Sequence, residues 1–131
     1  MTDKAETVES QREQEKYPYH RRFVRHKVRV KVEVQTSESY QAWTHNLSED
    51  GVCFEIPTQL PPGREVTVWV FIHREGERPE PPVRGRCQVA WCAEGKNNNF
   101  KHGGKFLFFQ ADGLERLREY LEELTSQSAH S

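Results

Sequence analysis

The sequence lacks any hydrophobic run long enough to cross a bilayer, because its 131 residues include no stretch of about 18 apolar side chains. The first residues also lack an apolar segment, which predicts that the chain carries no secretory signal. Cysteine is scarce and odd in number, at three, so a disulfide scaffold is not expected and a reducing compartment fits best. These absences predict a cytoplasmic protein without membrane insertion.

The sequence patterns of common enzymes and metal sites are also missing. None of the six histidines forms the His-Glu-x-x-His pair of a metalloprotease, and there is no Gly-rich phosphate loop or nucleophile elbow. Cys87 and Cys92 are five positions apart, so on one straight strand they face opposite sides and cannot share a metal. We therefore predict no enzyme, no catalytic residue, no metal site and no cofactor.

Charge is balanced overall but not along the chain. The 19 basic and 20 acidic residues give a net charge of −1, which by itself indicates no class of partner. From position 17 to position 32 there is no acid, whereas acids outnumber bases in the rest of the chain. This segment therefore carries nearly all of the anion-binding potential, through Arg21, Arg22, Arg25, Lys27, Arg29 and Lys31.

Hydrophobic residues make up only 34% of the chain, and the mean hydropathy is −0.91. Residues 1–16 are charged and nearly devoid of large apolar side chains, which predicts a flexible tail. The length suits one domain, and we place it at residues 17–126. Residues 127–131 are expected to fray.

Alternating apolar residues predict six strands in this domain. Residues 27–34 alternate strictly, with valines on one face and mostly basic residues on the other. Further strands are predicted at 40–47, 52–56, 66–72, 83–91 and 105–109. In the fifth, Trp91 is in phase with Cys87 and is expected to face inward. The charged, proline-rich loop 74–82 is either a partner site or a tolerated insertion.

Leucines at helical spacing predict a helix at the C-terminal end of the domain: Leu114, Leu117, Leu121 and Leu124. Trp69 and Phe71 occupy the outer face of the fourth strand, and this helix is the expected cover for them. Six short strands and one terminal helix predict a mainly β fold, a small antiparallel barrel with the helix docked on it.

Two short motifs carry the candidate chemistry. Arg21-x-x-x-Arg25 precedes the first strand, and Asn46-x-Ser48-x-x-Gly51 ends the second. Guanidinium groups bind phosphate oxygens and guanine edges, and they stack on purines. An amide and a hydroxyl two residues apart on a strand project from one face, and glycine permits close approach or a positive φ. The motifs indicate an anionic ligand with purines, although each alone is also an ordinary basic stretch or hairpin turn.

At these residues the chain resembles the PilZ family, bacterial domains that bind the second messenger cyclic di-GMP. The family pattern is R-x-x-x-R followed by [D/N]-x-S-x-x-G, and all five positions are filled here. The likeness extends over roughly residues 18–125. It implies a six-stranded antiparallel PilZ-type β-barrel with a C-terminal α-helix.

The resemblance also implies a role for each motif residue. Arg21 and Arg25 would grip phosphates and guanine edges from an N-terminal loop. Asn46 would meet a guanine edge, Ser48 would add a hydrogen bond, and Gly51 would shape the turn. His20 and Arg22 are possible accessory residues, with an exposed loop charge as the alternative for each.

The expected function is that of a non-enzymatic bacterial receptor for cyclic di-GMP. Ligand binding would order the arginine loop and so engage a protein partner that the sequence does not identify. The alternative is a PilZ-fold protein-interaction module with an unused nucleotide site. A third reading is a barrel that binds RNA or single-stranded DNA through residues 20–31, which the acidic remainder of the chain disfavours.

Overall fold

The described part of the chain, residues 24–74 and 76–129 of a computed structural model, forms a closed six-stranded barrel and one helix. The strands are β1 (Lys31–Gln35), β2 (Ser39–Leu47), β3 (Gly51–Ile56), β4 (Glu65–Val70), β5 (Val83–Glu94) and β6 (Phe100–Phe109), and the helix is α1 (Gly113–Ala129). The strand order is β1-β2-β3-β6-β5-β4, and β4 pairs with β1 to close the barrel. Every pairing is antiparallel, so the predicted fold class is confirmed.

Alternating valines fill the barrel interior. At the closing seam Val32 pairs with Val70 and Val34 pairs with Val68, and all four side chains are fully buried. Burying a side chain of this size stabilises the fold by roughly 1.5–3 kcal/mol. The inward face predicted for the fourth strand is confirmed, and it continues into Ile72.

Strand β1 begins at Lys31, four residues later than the alternating pattern of residues 27–34 predicts. Residues 27–30 keep the predicted alternation of burial, but their hydrogen bonds involve a side chain of β2. The backbone N–H of Val30 donates to Thr44 Oγ1 at 2.9 Å, and the Thr44 hydroxyl donates to the carbonyl of Val28. The buried Thr44 thus satisfies backbone groups that a regular ladder would pair.

A bulge in β5 overturns the inward placement of Trp91. The register shifts between Val89 and Trp91, so Ala90 has no partner on β6. Val89 remains buried, whereas Ala90 and Trp91 both project outward and Trp91 is 43% exposed. One extra residue is enough to move a side chain to the other face of a sheet.

Strand β6 is longer than predicted, because it begins at Phe100 rather than at position 105. A second bulge lies opposite Arg86 and Cys87, where Leu107 has no partner. The rings of Phe106 and Phe109 pack together with centroids 4.6 Å apart. The two residues between them, Leu107 and Phe108, project outward.

Helix α1 contributes Leu117 and Leu121 to the same core as the barrel valines, and it packs against β5 and β6. Two ion pairs connect the helix to loops of the barrel. Arg116 pairs with Glu80 in the 74–82 loop at 2.7 Å, and Arg118 pairs with Glu49 in the turn between β2 and β3 at 2.9 Å. Arg74 joins Glu80 to Glu123, so both ends of the 74–82 loop contact the helix. The helix continues to Ala129, three residues beyond the predicted domain boundary.

The expectation that α1 covers Trp69 and Phe71 is wrong. Both aromatic side chains lie on the outer face of the barrel, whereas the helix joins the inner core. The Arg84 guanidinium lies 5.0 Å from the centroid of the Trp69 ring, and the Lys31 ammonium lies 5.4 Å from that of Phe71. Cationic side chains therefore partly cover these aromatics. No helix in the described residues has the length and apolarity needed to span a membrane.

The core also contains an imidazole that the sequence patterns did not single out. His102 is fully buried, and its Nε2 accepts a hydrogen bond of 3.1 Å from the backbone N–H of Leu60. Its ring stacks on Phe54 with centroids 5.2 Å apart. Burial lowers the pKa of His102, with a backbone contact to Phe100 offsetting part of that effect. The neutral ring is the form that this site accommodates.

We expect Leu117→Ala to lower the free energy of unfolding by about 2–5 kcal/mol, because it leaves a cavity between helix and barrel. Urea denaturation measures the change. Leu114→Ala is the matched control, and its half-buried side chain predicts a smaller loss. An unchanged midpoint for Leu117→Ala would contradict the packed helix.

We expect acid to destabilise the protein through His102. Because its folded pKa lies below the unfolded value of about 6.5, the unfolded chain takes up a proton first as the pH falls. The free energy of unfolding should therefore decrease below about pH 6.5 and continue to fall until the folded pKa is reached.

Denaturation of His102→Gln at about pH 7.5 and about pH 5.5 should show a smaller difference than wild type. The exposed His73→Gln is the control and should retain the wild-type difference. Equal acid sensitivity in His102→Gln and wild type would refute this assignment.

Candidate functional site

Two backbone hydrogen bonds attach the segment before β1 to the end of β2. The N–H of His26 donates to the carbonyl of Leu47, and the N–H of Leu47 donates to the carbonyl of His26, both at 2.9 Å. This single bridge lies outside the regular ladders of the barrel. It places Arg25 next to Asn46, which is 21 residues away in the sequence.

The side chains of the two motifs meet at this bridge. The Nη1 of Arg25 donates a hydrogen bond of 2.6 Å to Oδ1 of Asn46. A register shift between Thr44 and Asn46 leaves His45 without a paired residue in the β3 ladder and directs both His45 and Asn46 outward. The bond engages the amide oxygen of Asn46, so the NH₂ group is the donor that Asn46 can offer to a ligand.

Ser48 is fully buried inside its own turn. Its backbone N–H donates to the carbonyl of Gly51 at 2.9 Å, and its hydroxyl oxygen accepts from the N–H of Gly51 at 3.1 Å. The hydroxyl donates to Oδ1 of Asp50 at 2.5 Å. These hydrogen bonds show that Ser48 stabilises the turn that joins β2 to β3.

Gly51 is required by a close backbone contact. A Cβ at this position would lie 2.8 Å from the carbonyl oxygen of Gly104 and 3.7 Å from Nη2 of Arg25. Gly51 is not among the described residues with positive φ. The neighbouring strand β6 thus excludes a side chain here, and the Arg25 guanidinium lies over the space that this leaves.

A row of paired residues runs from Asn46 across the outer face of the barrel. Asn46 pairs with Cys53, Cys53 with Gly103, and Gly103 with Trp91. Directly paired residues project to the same side of a sheet, and neighbouring strands are about 4.8 Å apart. Cys53 and Gly103 therefore form a low floor between Asn46 and Trp91.

The indole of Trp91 lies across Gly103, because a Cβ on that glycine would overlap the ring. An exposed aromatic surface thus faces Asn46 and Arg25 across roughly two strand spacings, about 10 Å. Sequence reasoning missed this residue. The alternation of β5 placed Trp91 inside, and the bulge that reverses it depends on the pairing with β6.

Lys105 is a second residue that sequence reasoning missed. It pairs with Gly51 and is exposed, so its ammonium group lies on the same outer side as Arg25. The only sequence signal was its position directly after two glycines in a strand. Arg25 and Lys105 thus both bring positive charge to the outer face near Gly51.

Burial raises the pKa of the Cys53 thiol, and Lys101 and Arg25 offset this only in part. The thiol is therefore neutral at pH 7. Among residues 24–74 and 76–129, no group of three His, Cys, Asp or Glu side chains is arranged to hold a metal ion.

The structure brings together Arg25, Asn46, Ser48 and Gly51 of the predicted site. Arg21 and the two accessory residues, His20 and Arg22, lie outside the described residues. The predicted tail at 1–16 lies outside them as well.

We expect Ser48→Ala to lower the free energy of unfolding by about 1–3 kcal/mol, because a buried N–H of Gly51 loses its acceptor. Thr36→Ala is a matched control. The Thr36 hydroxyl accepts a bond of the same 3.1 Å length from the N–H of Glu38, but in an exposed turn where water can replace it. Equal losses in the two variants, measured by urea denaturation, would contradict a special role for burial of Ser48.

Comparison with known proteins identifies the family. The sequence matches the family model of the PilZ domain over residues 19–123. The fold resembles the inhibitor of motility (MotI/DgrA) of Bacillus subtilis, with a TM-score of 0.70 and 16% identity over 89% of this chain. The match covers 56% of that protein, so this chain spans little more than half of its length.

A second structure with this fold is the PilZ domain of YcgR from Escherichia coli, solved with cyclic di-GMP. Its TM-score is 0.59 at 15% identity, and the match covers 86% of this chain and 99% of that one. No curated protein sequence matches the chain. Because the family model covers well over half of the sequence, from before Arg25 into α1, the chain belongs to the PilZ domain family.

Proposed function

We propose that this protein is a non-enzymatic receptor that binds cyclic di-GMP on the outer face of its barrel and passes the signal to a protein partner. The observation that carries the proposal is the hydrogen bond of 2.6 Å between Arg25 and Asn46. It unites two motifs that are unrelated in sequence position and that both suit a guanine nucleotide. The bound PilZ domain of YcgR supports the choice of ligand.

The chemistry of the site matches that of the ligand. Cyclic di-GMP has two guanines and two phosphates. The Arg25 guanidinium can donate to a phosphate oxygen or to guanine O6 and N7, and the Asn46 NH₂ group can donate to the same acceptors. Lys105 adds a second positive charge beside Gly51 for a phosphate.

The Trp91 indole already lies across Gly103 at one end of the floor formed by Cys53 and Gly103, so a planar base would meet the indole there rather than the sheet. Trp91 bounds that floor with an exposed indole, and a purine stacked on it would gain about 1–3 kcal/mol. The site thus combines charge on one side with an aromatic surface on the other.

In this proposal Arg21 supplies a second guanidinium. It lies four positions before Arg25, so the Cα atoms of the two arginines are at most about 13–14 Å apart. The bridge at His26 fixes the segment at one end, and ligand contacts with both arginines would fix the chain that precedes it. Ordering of this arginine loop would create the surface that a partner recognises.

The alternative is a protein-interaction module whose nucleotide site is unused. The filled positions of both motifs favour the receptor. The two readings differ in one measurable property, the heat released when cyclic di-GMP is added.

We expect Arg25→Ala and Arg21→Ala each to weaken cyclic di-GMP binding by about 10- to 100-fold. Each arginine contributes charge-assisted hydrogen bonds of roughly 1.5–3 kcal/mol. Isothermal titration calorimetry on the full chain measures both affinities.

The matched control is Arg29→Ala. Arg29 lies over Trp43 on the outer face at 4.7 Å from the ring centroid, outside both motifs, so its loss should leave the affinity nearly unchanged. GTP and a short RNA serve as ligand controls. If wild-type protein released no heat with cyclic di-GMP, the interaction-module reading would replace the receptor.

A further inference from the structure

A groove on the outer face of β4, β5 and β6 lies apart from both ligand motifs. Its volume is about 550 Å³, and we call it the Phe108 groove. The lining side chains are those of Thr67, Arg84, Arg86, Phe108, Phe109 and Gln110. Its composition combines aromatic rings with two guanidinium groups and no acid.

The apolar part of this groove results from the bulge in β6. Phe106 is buried and packs against the partly buried Phe109. The two consecutive residues between them lie outside, so Leu107 is 41% exposed and Phe108 is 63% exposed. A single exposed apolar side chain is common on protein surfaces. Two adjacent ones, displayed by a bulge beside a groove, are typical of a contact surface.

The charged part is preorganised by neighbouring side chains. Arg84 lies over Trp69 and donates a hydrogen bond of 3.0 Å to the side-chain oxygen of Gln110. Arg86 donates to the hydroxyl of Thr67 at 3.1 Å. Both guanidinium groups thus lie along the surface, and less conformational entropy is lost when they bind a carboxylate.

Arg86 also pairs with Glu65, at 3.3 Å between two partly exposed side chains. An exposed pair of this kind adds little stability, so a partner carboxylate can replace Glu65 with little loss. The groove therefore offers positive charge to an incoming acid.

The barrel restricts how a partner can bind. Every described strand is paired on both sides, so β4, β5 and β6 present no free edge to which a peptide strand could add. A partner must contact side chains on the sheet face. Phe, Trp and Arg are the residue types that contribute most at such contacts.

We propose that the Phe108 groove docks a partner protein through an acidic segment that carries an aromatic or aliphatic side chain. The apolar side chain packs against Leu107 and Phe108, and flanking carboxylates pair with Arg84 and Arg86. The concave shape suits insertion of a partner side chain better than insertion of this surface into a membrane. Two arginines beside Glu65 provide too little charge to follow a nucleic-acid backbone.

The signalling role of this docking rests on the proposed function. Strand β6 carries Lys105 at the nucleotide site and Leu107 and Phe108 at the groove, so both surfaces share one strand. Binding of a peptide to the Phe108 groove is measured in the absence of cyclic di-GMP, so the test of docking does not depend on the proposed receptor function.

The test is an amide NMR titration of the full ¹⁵N-labelled chain with synthetic 12-residue peptides. One peptide contains Asp and Glu with a central Phe and Leu, and a second has Ser in place of those two apolar residues. We expect the first to cause saturable shifts confined to the amides of residues 84–86 and 107–110, and the second to bind at least about tenfold more weakly.

Phe108→Ser and Arg86→Glu should each weaken the first peptide by about tenfold or more. Trp43→Ser is the matched control, because Trp43 is 49% exposed beside Arg29 on another part of the barrel. It should change the affinity by less than about twofold. Unchanged melting temperatures confirm that the variants are folded.

Peptide shifts outside the groove, or equal binding by Phe108→Ser and wild type, would overturn the proposal. So would groove shifts caused by a single-stranded oligonucleotide or by phosphatidylserine vesicles in place of the acidic peptide. Calorimetry with cyclic di-GMP on Phe108→Ser separates the two sites. Phe108→Ser should bind cyclic di-GMP normally while losing the peptide. In the wild-type protein, nucleotide binding without peptide docking refutes only the groove, whereas docking without nucleotide binding refutes only the receptor.

Discussion

The candidate site of this protein depends on two backbone hydrogen bonds between His26 and Leu47. Each contributes only about 1 kcal/mol to stability, but together they determine where Arg25 lies. Without them the chain before Val28 would lose its backbone attachment to β2, and the guanidinium would not be held beside Asn46. A weak local contact thus joins two motifs into one site.

In the described strands, three bulges decide which side chains lie on the outer surface. Each places two consecutive residues outside the barrel: His45 and Asn46 on β2, Ala90 and Trp91 on β5, and Leu107 and Phe108 on β6. In each pair the second residue belongs to one of the proposed binding surfaces: Asn46 and Trp91 to the nucleotide site, and Phe108 to the Phe108 groove. An uninterrupted ladder would direct one member of each pair into the core. The extra residues therefore change the surface while the interior remains packed with valines.

The polar side chains buried inside the fold stabilise the backbone and do not form part of the outer surface. Thr44 satisfies backbone groups next to β1, Ser48 closes its turn, and His102 accepts a hydrogen bond from Leu60. Each is buried, so loss of its partner would leave an unsatisfied group in the core. Such residues can constrain a motif position as strongly as a ligand does, and Ser48 illustrates this within the second motif.

The sequence by itself determined the barrel with its C-terminal helix, the inward valines and both motifs, because alternation, helical spacing and turn residues are local properties. It also placed Arg25, Asn46, Ser48 and Gly51 in one candidate site. Only the tertiary structure decided that Trp91, Lys105 and Phe108 lie outside, that Gly51 is required by contact with Gly104, and that cations cover Trp69 and Phe71. The reason is that bulges, close backbone approaches and side-chain covers depend on the neighbouring strand, which the periodicity of one segment does not specify.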